Sequence, residues 1–287
     1  MLHPLDDVGA RLEGGRVRSP FLDEMEALSA AAWRTFPASG AGETTTCPCC
    51  LPEGVRARLA TLRREDWTAD DLESFASSAH GYGGASANRM RYLLPRFLEI
   101  VLRREKPEDS LHDHPLNHVV GNRAHGDWTQ TELDILDGFV SAWCAHAAVC
   151  ELAYDMLPEG TIHEGDFDED LTSNALEAVV NTGGDAVAVL RRTLDEAGHA
   201  GAYGAAQTLV RSRTELARRG TLDWDPLWGD PAREEPARLL AALTDEAAGA
   251  AMDRLRLAVP DGEVGWRIEQ VAVEALSLAA NVRAGRA

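Results

Sequence analysis

The fold is decided by residues 129–156, TQTELDILDGFVSAWCAHAAVCELAYDM. Thr129 followed three residues later by Glu132 is a capping box, in which each side chain satisfies the other residue's backbone N–H at a helix start. Leu133, Leu136, Phe139, Val140, Trp143, Ala147 and Cys150 then fall on one helical side. This spacing predicts a single long helix reaching about Met156.

The same period recurs on both sides. Upstream, Phe21, Leu22, Met25, Leu28, Ala32, Trp33 and Phe36 predict a helix over 21–36, ended by Pro37 and the small residues after it. Pro52 opens a second helix to about Leu62, a favoured first-turn use of proline. Thr68 is the expected N-cap of a helix over 69–79, with Asp70 and Asp71 in the first turn, where the helix dipole favours acids. Residues 85–104 carry an apolar side through Met90, Leu93, Leu94, Phe97, Leu98, Val101 and Leu102. Pro95 inside that run removes a backbone donor and predicts a kink or break near Leu94. Downstream, helices are expected over 171–181 (capped by Asp168 or Asp170), 185–197, 201–219, 238–259 and 263–283. No strand pair is evident. The expectation is an all-α fold of about ten helices in antiparallel hairpins, forming an irregular helical array or a solenoid-like bundle. Pro158 to Gly165 marks a soft boundary between an N-terminal region (1–157) and a C-terminal region (166–287), unless the two form one continuous domain.

Composition narrows the function classes. Asp and Glu number 47 against 28 Lys and Arg, a net charge of −19. That field repels phosphate backbones, so nucleic acid is an unexpected partner. No run approaches the ~20 apolar residues of a membrane helix, and Met1 to Arg18 lacks a signal-peptide core. A cytoplasmic location is the expectation. Five cysteines, three of them crowded together, do not resemble a disulfide framework.

The crowded three are Cys47, Cys49 and Cys50, in Cys47-Pro48-Cys49-Cys50. A C-x-x-C turn presents two sulfurs to one side and suits zinc, but two or three thiolates leave a tetrahedral site incomplete. His112, His114 and His118 are the candidate remaining ligands, with His80 a further one. His114 and His118 are four apart, which on a helix shares one face, although Pro115 intervenes. Cys144 and Cys150, on the long helix, read as core residues. Arg96 and Glu99 are polar groups inside a strongly apolar run, spaced for an i,i+3 ion pair that fixes the helix at its proline. Asp166, Asp168 and Asp170 take alternate positions of a calcium-type loop, but Leu171 stands where glycine is required. Gly81-Tyr82-Gly83-Gly84 lacks the strand and Lys of a phosphate loop, and neither G-x-S-x-G nor H-E-x-x-H is present.

Three segments, Cys47-Pro48-Cys49-Cys50-Leu51, Tyr92-Leu93-Leu94-Pro95-Arg96-Phe97-Leu98-Glu99 and Trp128-Thr129-Gln130-Thr131-Glu132, resemble in their order a family of uncharacterised bacterial proteins. The resemblance spans roughly residues 45–150, about a third of the chain. It implies a common helical fold and draws attention to the cysteines, Arg96 and Glu99. The leading functional reading is a non-enzymatic helical protein that binds another protein, with a zinc ion tying its N-terminal loop to the array. The alternatives are a metal-dependent enzyme with Cys, His and Glu groups in a helical cleft, and an acidic inhibitor or immunity-type protein that neutralises a basic partner.

Overall fold

The computed structural model describes residues 9–13, 16–38, 50–78, 84–102, 128–157, 171–181, 183–222, 234–259 and 261–286. They form an all-α protein with one small hairpin, β1 (Arg11–Glu13) antiparallel to β2 (Arg16–Arg18). The first half supplies α1 (Pro20–Thr35), α2 (Glu53–Thr61), α3 (Ala69–Ser78), α4 (Gly84–Leu102) and α5 (Gln130–Asp155). The second supplies α6 (Leu171–Asn181), α7 (Ala186–Glu196), α8 (Gly198–Arg211), α9 (Arg213–Arg219), α10 (Glu235–Leu243), α11 (Glu246–Ala258) and α12 (Glu263–Arg283).

Two hubs organise the packing. Helix α5 packs against α1, α6, α7 and α8, and α8 also packs against α11 and α12. Because partners distant in sequence meet, the arrangement is an irregular bundle rather than a stack of consecutive hairpins. Leu136, Phe139, Val140, Cys144, Val149 and Leu152 of α5 are fully covered. Each such large side chain contributes roughly 1.5–3 kcal/mol of burial. Helix α5 is long and apolar enough to span a membrane, with a mean hydropathy of 1.3 over its best window. This corrects the expectation that no stretch comes close, and here those apolar faces are spent on neighbouring helices.

The capping box at the head of α5 forms as its sequence dictates. Thr129 Oγ1 accepts from the Glu132 amide at 3.3 Å, and Glu132 Oε2 accepts from the Thr129 amide at 2.8 Å. Glu132 is also buried against Arg91 of α4, whose Nε donates to Oε1 at 2.8 Å. Thr129→Ala is expected to cost about 1 kcal/mol, the usual loss of an N-cap. Glu132→Ala should cost about 3 kcal/mol, because it also strips Arg91 of its partner. Urea midpoints of the two variants check this order, and equal midpoints would refute it.

Several boundaries differ from expectation. No break occurs at Pro95: α4 stays helical from Gly84 to Leu102, because Leu93, Leu94, Phe97 and Leu98 are buried on both sides of the proline and hold both turns to the core. The span expected as one helix over 238–259 divides at Thr244–Asp245, where Asp245 caps α11 by accepting from the Ala248 amide at 3.0 Å. The span over 201–219 divides at Ser212, and α8 begins earlier, at Gly198, whose φ of 52° turns the chain sharply after α7.

Candidate functional site

A short stretch between α2 and α4 gathers the most unusual side chains. After α2, Leu62 and Arg63 are extended, and one 3-10 turn (Arg64–Asp66) delivers Arg64 and Trp67 inward. Arg64 is only 4% exposed and Trp67 fully buried. The Arg64 guanidinium lies over the Trp33 ring at 4.3 Å and near Tyr92 at 5.4 Å. Its Nη1 donates to the carbonyls of Pro37 (3.0 Å) and Tyr92 (3.3 Å), while its backbone amide donates to the Tyr92 hydroxyl at 3.0 Å. One arginine thus ties the end of α1, the 3-10 turn and α4 together.

Arg89, on α4 one turn before Tyr92, is 5% exposed. Its guanidinium sits 5.2 Å from both the Trp67 and Tyr92 ring centroids, and Nη2 donates to the Leu59 carbonyl at 3.1 Å. Burial pulls the pKa of both arginines below the ordinary guanidinium value. Neither pairs with a carboxylate among the described residues. Their neighbours do: Arg58 with Asp71, Arg63 with Asp66, Arg91 with Glu132 and Arg96 with Glu99. Among the described residues, Arg64 and Arg89 are the two buried arginines, and both lack a carboxylate in a chain with a large excess of acids. Three buried donors here have no hydrogen-bond partner: Arg64 Nε, Arg89 Nε and Trp67 Nε1. Cation–π contacts offset part of the cost, by about 2 kcal/mol each when desolvated, but buried unpaired donors are rare in native structures.

Arg96 and Glu99 form the expected i,i+3 pair at 2.8 Å. Arg96 does more than pair: its Nε donates to the Trp67 carbonyl at 2.8 Å, fixing the backbone that carries the indole. It is a positioning residue at the edge of the arginine–aromatic cluster. Cys50 is exposed. Cys47, Cys49, His80, His112, His114 and His118 lie outside the described residues, as do Asp166, Asp168 and Asp170. Among the described residues no three His, Cys, Asp or Glu side chains converge as a metal would require.

A second polar cluster is buried at the far end of α5. Glu151 accepts from the backbone amide of Thr172 at 3.2 Å and from its hydroxyl, and so caps α6. Burial pushes its pKa up to about 7. Asp155 accepts from the Tyr203 hydroxyl, which in turn accepts from Gln207 Nε2 at 2.7 Å. His146 lies between Ser19 Oγ (2.9 Å from Nδ1) and Cys150 Sγ (3.5 Å from Nε2). Burial first, and the Arg18 charge second, lower its pKa to about 4. Burial pushes the Cys144 and Cys150 thiols up to about 12, consistent with inert core cysteines. Here the carboxylates have partners, so this cluster reads as structural. The arginine–aromatic cluster has donors to spare and is the better site.

Sequence reading found Arg96 and Glu99 and missed Arg64 and Arg89, which look like surface arginines among the many others. No family model matches this chain, and no curated protein or solved structure matches it.

Proposed function

We propose that the chain is a helical binding protein, and that Arg64 and Arg89, walled by Trp33, Trp67 and Tyr92, receive a negatively charged group of its ligand or protein partner. The observation that carries this reading is the pair of nine-tenths-buried guanidiniums left without carboxylates beside orphaned N–H donors. An uncompensated buried cation costs several kcal/mol, and a bound anion supplies the missing charge and acceptors together. Sites kept for binding are often held at the expense of stability.

The Arg89→Met variant tests this. Methionine fills similar space without the charge, so the ligand-free variant should be as stable as the parent or more stable, by about 1–2 kcal/mol. At saturating acetate or phosphate, with ionic strength held constant by chloride, the parent's Tm should rise by about 5 °C. The variant's should stay flat. A variant clearly less stable than the parent, with no anion effect on either protein, would show that Arg89 is only a structural brace.

A further inference from the structure

We propose that the group bound between Arg64 and Arg89 is a carboxylate whose adjoining part is flat or apolar. This rests on the binding role proposed above and names its ligand class.

Four observations bear on the occupant. First, the three orphaned groups, Arg64 Nε, Arg89 Nε and Trp67 Nε1, are all donors, so the occupant is an acceptor. Second, the pattern of use leaves a particular edge. Arg64 commits Nη1 to the Pro37 and Tyr92 carbonyls, which leaves the side of the guanidinium bearing Nε and Nη2. That side presents two parallel N–H bonds, spaced for the two oxygens of one carboxylate. Arg89 commits one Nη2 hydrogen to Leu59, and its buried Nε is left as a further donor to the remaining lone pairs. Third, aromatic rings pack against both guanidiniums: the Arg64 Cζ lies over the Trp33 ring, 4.3 Å from its centroid, and the Arg89 Cζ over the Trp67 ring, 5.2 Å from its centroid. These rings supply an apolar wall for whatever bears the charge, which an acid on a flat or apolar body meets and inorganic phosphate does not. Fourth, the neutral indole N–H is a fitting third donor for a single charge, whereas the chain's net charge of −19 opposes a dianion more strongly than a monoanion. Because both arginines are almost fully covered, entry displaces local contacts, and association should be slower than diffusion.

The full chain is titrated calorimetrically at pH 7 with benzoate, neutral benzamide, inorganic phosphate, a short peptide with a free C-terminal carboxylate and the same peptide amidated. Benzoate should bind at least tenfold more tightly than benzamide or phosphate, and the free-acid peptide at least tenfold more tightly than its amide. Arg64→Lys should lose at least tenfold in carboxylate affinity while retaining the parent's circular dichroism, because an ammonium cannot offer the two-point edge. The relative affinity of benzoate and free-acid peptide then distinguishes a small organic acid from a protein carboxylate, and either result supports the class. Phosphate binding more tightly than every carboxylate would overturn the carboxylate assignment and leave the anion site standing. Full carboxylate affinity in Arg64→Lys would overturn the edge geometry. No binding of any anion by the folded parent would overturn both readings.

Discussion

A Gly201→Ala chain is expected to unfold roughly 6–12 °C below the parent, a loss of about 3 kcal/mol from one methyl group. Gly201 stands on the second turn of α8, where that helix doubles back across the end of α7. A Cβ there would fall on the Thr193 carbonyl, with the Leu194 Cα only 3.1 Å away. Both are backbone, and Thr193 already anchors the corner by accepting from the Ala197 amide at 3.0 Å. No side chain can rotate aside, so α7 and α8 must separate, and both belong to the packing around α5. Gly204, one turn on, gives the contrast. Its added Cβ would meet the Thr172 side chain and the Ala148 Cβ at 3.0 Å. Thr172 can turn, although it would then give up its bond to Glu151. Gly204→Ala should therefore destabilise less than Gly201→Ala in thermal melts, and the reverse order would refute this account of the crossing.

Glu151→Gln should gain stability over the parent as pH rises, by about 3 kcal/mol at pH 8 and by less than about 1 kcal/mol at pH 5. The folded-state pKa of Glu151, raised by burial from 4.5 to about 7, means the native protein holds a proton that the unfolded chain releases. The stability associated with that proton is present below pH 4.5 and is lost as pH climbs to 7. His146 acts in the opposite sense. Lowered from 6.5 to about 4, it contributes stability above pH 6.5 that is lost as pH falls. Between about pH 4.5 and 6.5 the two slopes oppose each other, so together they leave the parent nearly level. Removing the carboxyl leaves the histidine slope alone, and the variant should become steadily more stable from pH 4.5 to 6.5. Asp155 and Arg211 act on Glu151 with opposite signs and leave the direction unchanged. Urea midpoints at pH 5, 6.5 and 8 decide the matter: parallel profiles for parent and variant would mean that Glu151 does not titrate as its burial implies.

Local signals accounted for what could be read in advance. Thr129 with Glu132, Thr68 with its acidic first turn and the apolar period of α5 each act within a few residues of sequence, and each formed in place. The divisions at Ser212 and Thr244 were missed because the apolar period runs on through them, although Thr244-Asp245-Glu246 carries a helix-start signal. The hairpin was missed because its strands are three residues each, although Gly14-Gly15 between them is a hairpin turn signal. The binding cluster is different in kind. Arg64 and Trp67 meet Arg89 and Tyr92 across more than twenty residues, and what sets those arginines apart is the carboxylate they lack. Absence of a partner is a property of the packed chain and leaves no trace in its spacing. Arg96 was legible as half of an ion pair, but its bond to the Trp67 carbonyl was not.

The position of α5 between earlier and later helices has a consequence for biosynthesis. Its first cover, α1, is made before it, but α8 is complete only about 56 residues after α5 ends, which at 5–20 residues per second is roughly 3–11 s of elongation. Over that interval the most apolar helix among the described residues is covered only stepwise, as α6, α7 and then α8 are made. The nascent chain is then a natural client for holding chaperones, and slowing translation beyond residue 155 should lower the yield of native protein more than slowing it beyond residue 211.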